Sequence, residues 1–252
     1  MRTILSQASK QGRRDYQEDR IYLNVNDDGI LAAVFDGHGG AETSDYCVKN
    51  LLQAFNAVAD DPVYPEIRDK LQGIFNHLHE QTCYMQPGST ASIVFIPSSL
   101  DRAYIGILGD SPVVIKNVDN EIWIAPEHNV RSNSREVALA KARGGYIHGG
   151  YLFPGGLSLT AHGVQLSRAF GDADLNSVLS RKPEIFEVPL GAGSWVLVAS
   201  DGLIDPHHGS DQAADTIVNL IGQGKTAVGL VDYAIGVPTH DNASAVLVKI
   251  IE

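Results

Sequence analysis

VFDGHGG, residues 34–40, decides how this chain is read. An apolar stretch, residues 30–35, runs straight into Asp36, Gly37 and His38. A strand that stops on an aspartate delivers a carboxylate from a rigid element to the rim of a sheet. The glycines behind it let backbone approach an ion or anion closely, and the histidine beside them can carry a proton. That is the equipment of hydrolysis assisted by a hard metal ion, which needs further oxygen ligands elsewhere in the chain.

Working outward, the same placement recurs. Glu18 and Asp19 precede an apolar strand at 21–25, and Asp201 ends the one in VLVASDG. Asp241 precedes the one in THDNASAVLV, and Asp110 follows the one in ILGDSP. Each Asp-Gly or Asp-Asn alone is an ordinary turn dipeptide. Five acidic sites at strand ends are a different matter: strands of one sheet ending at one rim gather their carboxylates, which repel one another unless cations neutralise them. A ligand set made only of oxygens selects Mg²⁺, Mn²⁺ or Ca²⁺ over zinc.

Composition agrees. The 252 residues carry a net charge of −11, with 30 acidic against 19 basic side chains. That balance disfavours nucleic acid and anionic membrane as partners, since both need clustered Lys and Arg. Hydrophobic residues make up 44% of the chain, enough for a sizeable core, and no Pro-, Ser- or charge-rich linker divides it. One domain over 1–252 is expected. Cys47 and Cys83 form neither a CxxC nor a zinc spacing and read as free thiols of a reducing compartment. The first residues lack the apolar region of a signal peptide, and no apolar run approaches the ~18 residues of a membrane span. A cytoplasmic monomer is expected.

Alternation and apolar runs predict strands over 3–8, 21–25, 29–36, 90–96, 102–108, 113–117, 121–124, 194–200 and 243–250. Apolar spacing predicts helices over 41–59, 65–84, 133–143, 211–221 and 226–235. Residues 144–163 are glycine-rich without a single Asp, Glu, Lys or Arg, and read as a mobile flap rather than core. Hairpin-linked strands with helices in adjacent pairs predict an α+β architecture rather than βαβ alternation.

In this order along the chain, RRDYQED, VFDGHGG, PGSTAS, ILGDS, QLSRAFGD, Lys182-Pro183-Glu184, VLVASDGLID and HDNASAVLV resemble the metal-dependent protein phosphatases of the PP2C (PPM) type. No single element is decisive, but the ordered set is specific. The resemblance implies a four-layer αββα sandwich, two central, mostly antiparallel sheets flanked by helix pairs, with a flap at about 129–165. It implies that Asp36 bridges two tightly bound Mn²⁺ or Mg²⁺ ions. The Gly37 carbonyl would add a ligand to one, and Asp201 and Asp241 would hold the other. Glu18 would act through a metal-bound water with Asp19 behind it, and Asp110 and Asp201 would hold a third, weaker ion. Arg14 would grip the substrate phosphate and His38 would act as general acid. The activity implied is hydrolysis of phosphoserine and phosphothreonine in proteins by water or hydroxide bridging the two ions.

Elementary chemistry agrees with that picture. Paired metal ions make hydroxide available near neutral pH, a guanidinium binds two phosphate oxygens at once, and an alkoxide leaving group needs a proton donor. Two alternatives stay open: a hydrolase of small phosphate esters on the same fold, and a non-catalytic pseudophosphatase adaptor, although no metal aspartate is missing. His77, His79, His207 and His208 read as surface or helix-face residues. His128 and Arg168 read as structural, while His240 could contact substrate or be an ordinary loop residue. Gly88-Ser89-Thr90 lacks the Lys of a phosphate loop and reads as a tight strand entry. Two departures stand out: Pro112 occupies the position where the family usually has an arginine, and 148–163 replaces a short basic hairpin.

Overall fold

A computed structural model describes residues 1–59, 61–155, 162–204, 212–237 and 241–252. In chain order its elements are β1 (Arg2–Lys10), β2 (Arg20–Asn26), β3 (Gly29–Phe35), β4 (Gly37–His38), α1 (Glu42–Ala59), α2 (Ile67–Thr82), β5 (Gly88–Ser89), β6 (Ala91–Pro97) and β7 (Arg102–Leu108). There follow β8 (Val113–Lys116), β9 (Ile122–Ile124), α3 (Ser134–Ala142), β10 (Tyr146–His148), β11 (Tyr151–Phe153) and β12 (Glu184–Pro189). The chain closes with β13 (Trp195–Ala199), α4 (Asp201–Ile204), α5 (Gln212–Gly222), α6 (Ala227–Gly236) and β14 (Ala243–Ile251).

Every residue of β3 is buried, so both faces of this strand are covered. Side chains of a strand alternate between faces, and here Ile30, Ala32 and Val34 enter one core while Leu31, Ala33 and Phe35 enter another. The first core lies between two five-stranded antiparallel sheets, ordered β12-β7-β6-β3-β2 and β1-β14-β13-β8-β9. It joins Val94, Ile105 and Ile107 of one sheet to Val113, Val196, Val198 and Val246 of the other. The second core packs α1 and α2 on the outer face of the first sheet, through Leu51, Leu71, Ile74, Phe75 and Leu78. A third packs α4, α5 and α6 on the outer face of the second sheet, where Leu197, Ala245 and Leu247 meet Leu203, Ile217, Leu230 and Val231. The result is the expected αββα stack.

The described residues of the segment read from sequence as a flap include regular structure. β10 and β11 form a hairpin, and Leu152 is fully buried in a fourth cluster with Val130, Ala140 and Leu166. Its core-facing residues are too sparse to produce a periodic signal, so composition alone reads as loop. β12 carries no predicted strand either. At this sheet edge Ile185 faces the helices and Phe186 the inter-sheet core, each only half-buried. Strand registers set up the site. Arg20 pairs with Phe35, so the next step outward places Asp19 beside Asp36. Ala199 pairs with Ala245, which carries Asp201 and Asp241 to the same end of the partner sheet.

Candidate metal and phosphate site

Asp36 is held from its backbone. Its N–H donates to Thr90 Oγ1 at 3.0 Å, and its carbonyl accepts from the Thr90 N–H at 2.9 Å. Thr90 is in turn bonded to Ser111, whose carbonyl accepts from Ser92. Pro112, next to Ser111, accepts from Ala199 N–H at 3.0 Å, so strands of both sheets grip this loop. Asp110 beyond it is oriented by Asn129, which donates to Oδ2 at 2.7 Å.

Asp36, Gly37, Asp110, Asp201 and Asp241 line one cleft of about 930 Å³, together with Arg14 and His38. Its carboxylates are electrostatically uncomfortable. Burial, then the charges of Asp19, Asp201, Asp110 and Asp241, push the Asp36 carboxyl well above the usual range. Burial, then Asp110, Asp241 and Asp19, do the same to Asp201. Burial raises Asp110 against the pull of Asn129. Asp19 sits behind the cleft wall, 2% exposed, and both its oxygens are buried without a hydrogen-bond partner. Burial pushes it up to about 6 against the nearby hydroxyls of Ser244 and Ser200. The Ser244 hydroxyl bonds Ser9 instead. Orphaned buried carboxylate oxygens, surrounded by like charges and oxygen donors only, fit hard divalent cations, which supply the missing positive charge.

Glu18 also stands off the cleft wall. Its Oε1 accepts from Gly40 N–H at 2.6 Å, and its carbonyl accepts from Ser44 Oγ at 2.6 Å. It thus braces the turn that follows His38. Arg14 reaches Asp241 Oδ2 at 2.6 Å, with about half its side chain exposed, so a guanidinium stands at the cleft mouth beside the acids. The loop carrying it is tied down by Asn242. That side chain donates to the carbonyls of Gln11 and Tyr16 and accepts from Glu18 N–H, at 2.8 to 2.9 Å. His38 meets Asp172, each carboxylate oxygen 2.9 Å from Nε2. Burial works against a charge on His38, but the bond to Asp172 and the acids around it outweigh that and raise its pKa. Cys47 is fully buried, and burial alone raises its thiol, which rules it out as a nucleophile.

Thr90, Asn129, Asp172 and Asn242 carry no role in the sequence reading. Thr90, Asp172 and Asn242 lie inside quoted motifs and Asn129 follows His128, but the task of each depends on a partner 19 to 231 residues away. His207, His208 and His240 lie outside the described residues. His128 and Arg168 are structural, as read. His128 Nδ1 accepts from Gly109 N–H at 3.1 Å, while Arg168 pairs with Glu136 at 2.7 Å and Glu184 at 3.3 Å. Among the described residues, only His128, Glu136 and Glu184 bring three candidate ligand atoms within 4.8 Å of one another. That trio is an ion-pair network: the Arg168 guanidinium already supplies its positive charge. Among the described residues, no three of the rim carboxylates bring their oxygens within that distance of one another.

A carboxylate rim built by two antiparallel sheets, with an arginine and a histidine at its mouth, is matched by a family model. The model described as "Protein phosphatase 2C" covers residues 5–243. The chain belongs to the protein phosphatase 2C family. It is 28% identical over 253 residues to an Arabidopsis thaliana protein named "Probable protein phosphatase 2C 11", covering 96% of this chain and 65% of that one. The solved "Structure of a C.elegans sex determining protein" superposes with a TM-score of 0.80 at 27% identity, over 97% of this chain and 64% of that one. The catalytic domain of the serine threonine protein phosphatase PstP, solved with 2 manganese ions, shares the fold with a TM-score of 0.63. It is 18% identical, covering 99% of each chain. This chain therefore spans just under two thirds of the Arabidopsis and C. elegans proteins. No helix among the described residues is long and apolar enough to cross a membrane.

Proposed function

We propose that this chain is a metal-dependent protein-serine/threonine phosphatase, folded as one catalytic domain. The observation that carries the reading is the rim of part-buried carboxylates contributed by both sheets, those of Asp36, Asp110 and Asp201 with raised pKa values, in a cleft that Arg14 and His38 also line. Asp36, Asp201 and Asp241, with the Gly37 carbonyl, would hold two Mn²⁺ or Mg²⁺ ions. Asp19 and Glu18 would support them from behind, and Asp110 with Asp201 would hold a third, weaker one. When bound, such ions supply an ionised water near neutral pH and screen the charge of the phosphate.

The chain's own residues do the rest. Arg14 binds two phosphate oxygens and orients the ester, leaving Asp241 to do so. His38 holds a proton at the edge of the cleft and gives it to the departing serine or threonine oxygen. The cleft is large enough to admit a side chain carrying phosphate with flanking peptide, which supports phosphorylated proteins as the substrates. The acidic balance of the chain speaks against nucleic acid, and we place the enzyme in the cytoplasm as a monomer.

The test is an assay of phosphoserine and phosphothreonine peptides against small phosphate esters, with Mn²⁺ or Mg²⁺ and after chelation. Activity on phosphopeptides that vanishes in EDTA and returns with metal is expected. Full activity in protein shown metal-free by elemental analysis would refute the metal-dependent reading. Turnover of small esters alone would move the substrate class, and none with any ester would favour the adaptor.

A further inference from the structure

We propose that Asp172 is the positioning residue for His38, holding Nε2–H so that Nδ1 is the ring atom that delivers the proton. The idea rests on the assignment of proton donation to His38. The chain brings these two residues together from far apart. Asp172 follows Phe170 and Gly171 in the SRAFGD stretch, 134 residues from His38, yet both its oxygens lie 2.9 Å from Nε2. Its side chain is nearly buried, at 7% exposed, whereas that of His38 keeps 32% exposure toward the cleft.

The backbone is shaped for this contact. Asp172 has φ +49° and ψ +54°, a left-handed conformation that is unfavourable for most residues and that Asp and Asn visit most readily after glycine. Gly171 is also left-handed, at φ +70°, and a Cβ there would overlap the Pro87 carbonyl. Between the two partners lies Gly88, paired with His38 across β4 and β5. A Cβ at Gly88 would overlap both the His38 ring and the Asp172 carboxylate. Ser89 then bridges to Phe170 through two backbone bonds of 3.0 and 2.8 Å. Three strand segments thus meet edge to edge, with the glycine in the middle letting the outer two side chains touch. Behind Asp172, Leu175 N–H donates to its carbonyl at 2.8 Å.

The consequence is a fixed ring. Ionised carboxylate oxygens only accept, so Nε2 carries a hydrogen. Nδ1 bonds none of the described residues and is the only ring nitrogen left for the substrate. In the proton transfer, the Nδ1–H bond breaks as a water oxygen bonds to phosphorus and the ester P–O bond breaks, and the proton joins the departing alkoxide. The imidazole is left neutral with Nε2–H still on Asp172.

Two variants separate shape from charge. Asp172→Asn keeps the left-handed backbone and an oxygen acceptor but loses the charge. Asp172→Gly keeps the backbone and removes the partner. Long-range ¹⁵N–¹H correlation on histidine-labelled, metal-free protein, assigned by His38→Ala, reads the tautomer directly. In wild type His38 is expected to show a protonated Nε2 in a single ring state. In Asp172→Gly it should become an exchanging mixture of tautomers. An unchanged His38 signature in Asp172→Gly would overturn the proposal, whether or not the protein proves to be a phosphatase.

The kinetic arm uses the metal-loaded enzyme. Loss of a histidine's outer partner at a metal centre typically costs about 10–100-fold, and a loss of the same order is expected here. Asp172→Gly should lower kcat on a phosphoserine peptide by that order, leave KM in place, and spare p-nitrophenyl phosphate, whose leaving group needs no proton. In the His38→Ala background it should add nothing. Equal losses on both substrates, or full additivity with His38→Ala, would make Asp172 a merely structural residue.

Discussion

Asp19 and Asp36 carry the least comfortable charges at the residue scale, and their cost can be given a sign. In the metal-free protein Asp19 rises from 3.8 to about 6. Between those values the folded chain holds a proton that the unfolded chain has released, so its stability falls as pH rises through the window. Above it, the shift corresponds to roughly 3 kcal/mol of destabilisation. Asp19→Asn should therefore raise the Tm of metal-free protein at pH 7, with the gain shrinking toward pH 4. Thermal melts in EDTA across that range check this. A lower Tm for the variant at pH 7 would mean that the carboxylate stabilises the fold. Arg14→Lys keeps a charge but not a two-point grip, so KM should rise more than kcat falls. These residues were legible because each acid follows or precedes an apolar run. Asp172 was not: an aspartate after Phe-Gly is indistinguishable in sequence from a turn.

At the scale of elements, the Arg14 loop is held by the end of the chain. Asn242 is 4% exposed and spends its side chain on Gln11, Tyr16 and Glu18. Asn242→Ala leaves those backbone groups short of partners, at a cost of about 1–3 kcal/mol. That is several degrees of Tm, at roughly 2–4 °C per kcal/mol for a chain of this size class. The same variant should raise KM for phosphate esters, because Arg14 loses its anchor while the metal aspartates keep theirs. A drop in Tm with KM unchanged would detach the loop from substrate binding. β3, β13 and β14 were legible as buried runs whose alternate residues supply two cores. β12 and the β10–β11 hairpin escaped because an edge strand buries little and a glycine-rich hairpin buries one leucine. Packing decided these elements, and local pattern did not.

For the whole molecule, the two sheets meet through an apolar core that holds them face to face, and their acidic ends converge at one rim. Asp36 follows a strand of one sheet, and Asp201 and Asp241 lie next to strands of the other. Without cations the rim pushes the two layers apart, against the attraction of the core. Cations shared across it would turn that repulsion into a clamp between the layers. Binding that favours only the folded state adds about 2.7 kcal/mol when metal stands at 100 times its Kd. The Tm should therefore climb with Mn²⁺, and its dependence on metal concentration should yield the affinity of the tight sites. Asp36→Asn should start from a higher metal-free Tm and lose most of the climb. Asp110→Ala should keep it, since the third, weaker ion proposed for that residue would add little at low metal, yet should turn over phosphopeptides more slowly at millimolar Mn²⁺. Calorimetric titration alongside the melts counts the ions. If wild type and Asp36→Asn climb together, the rim carboxylates are not the clamp, and the repulsion between the two layers is relieved by protonation instead.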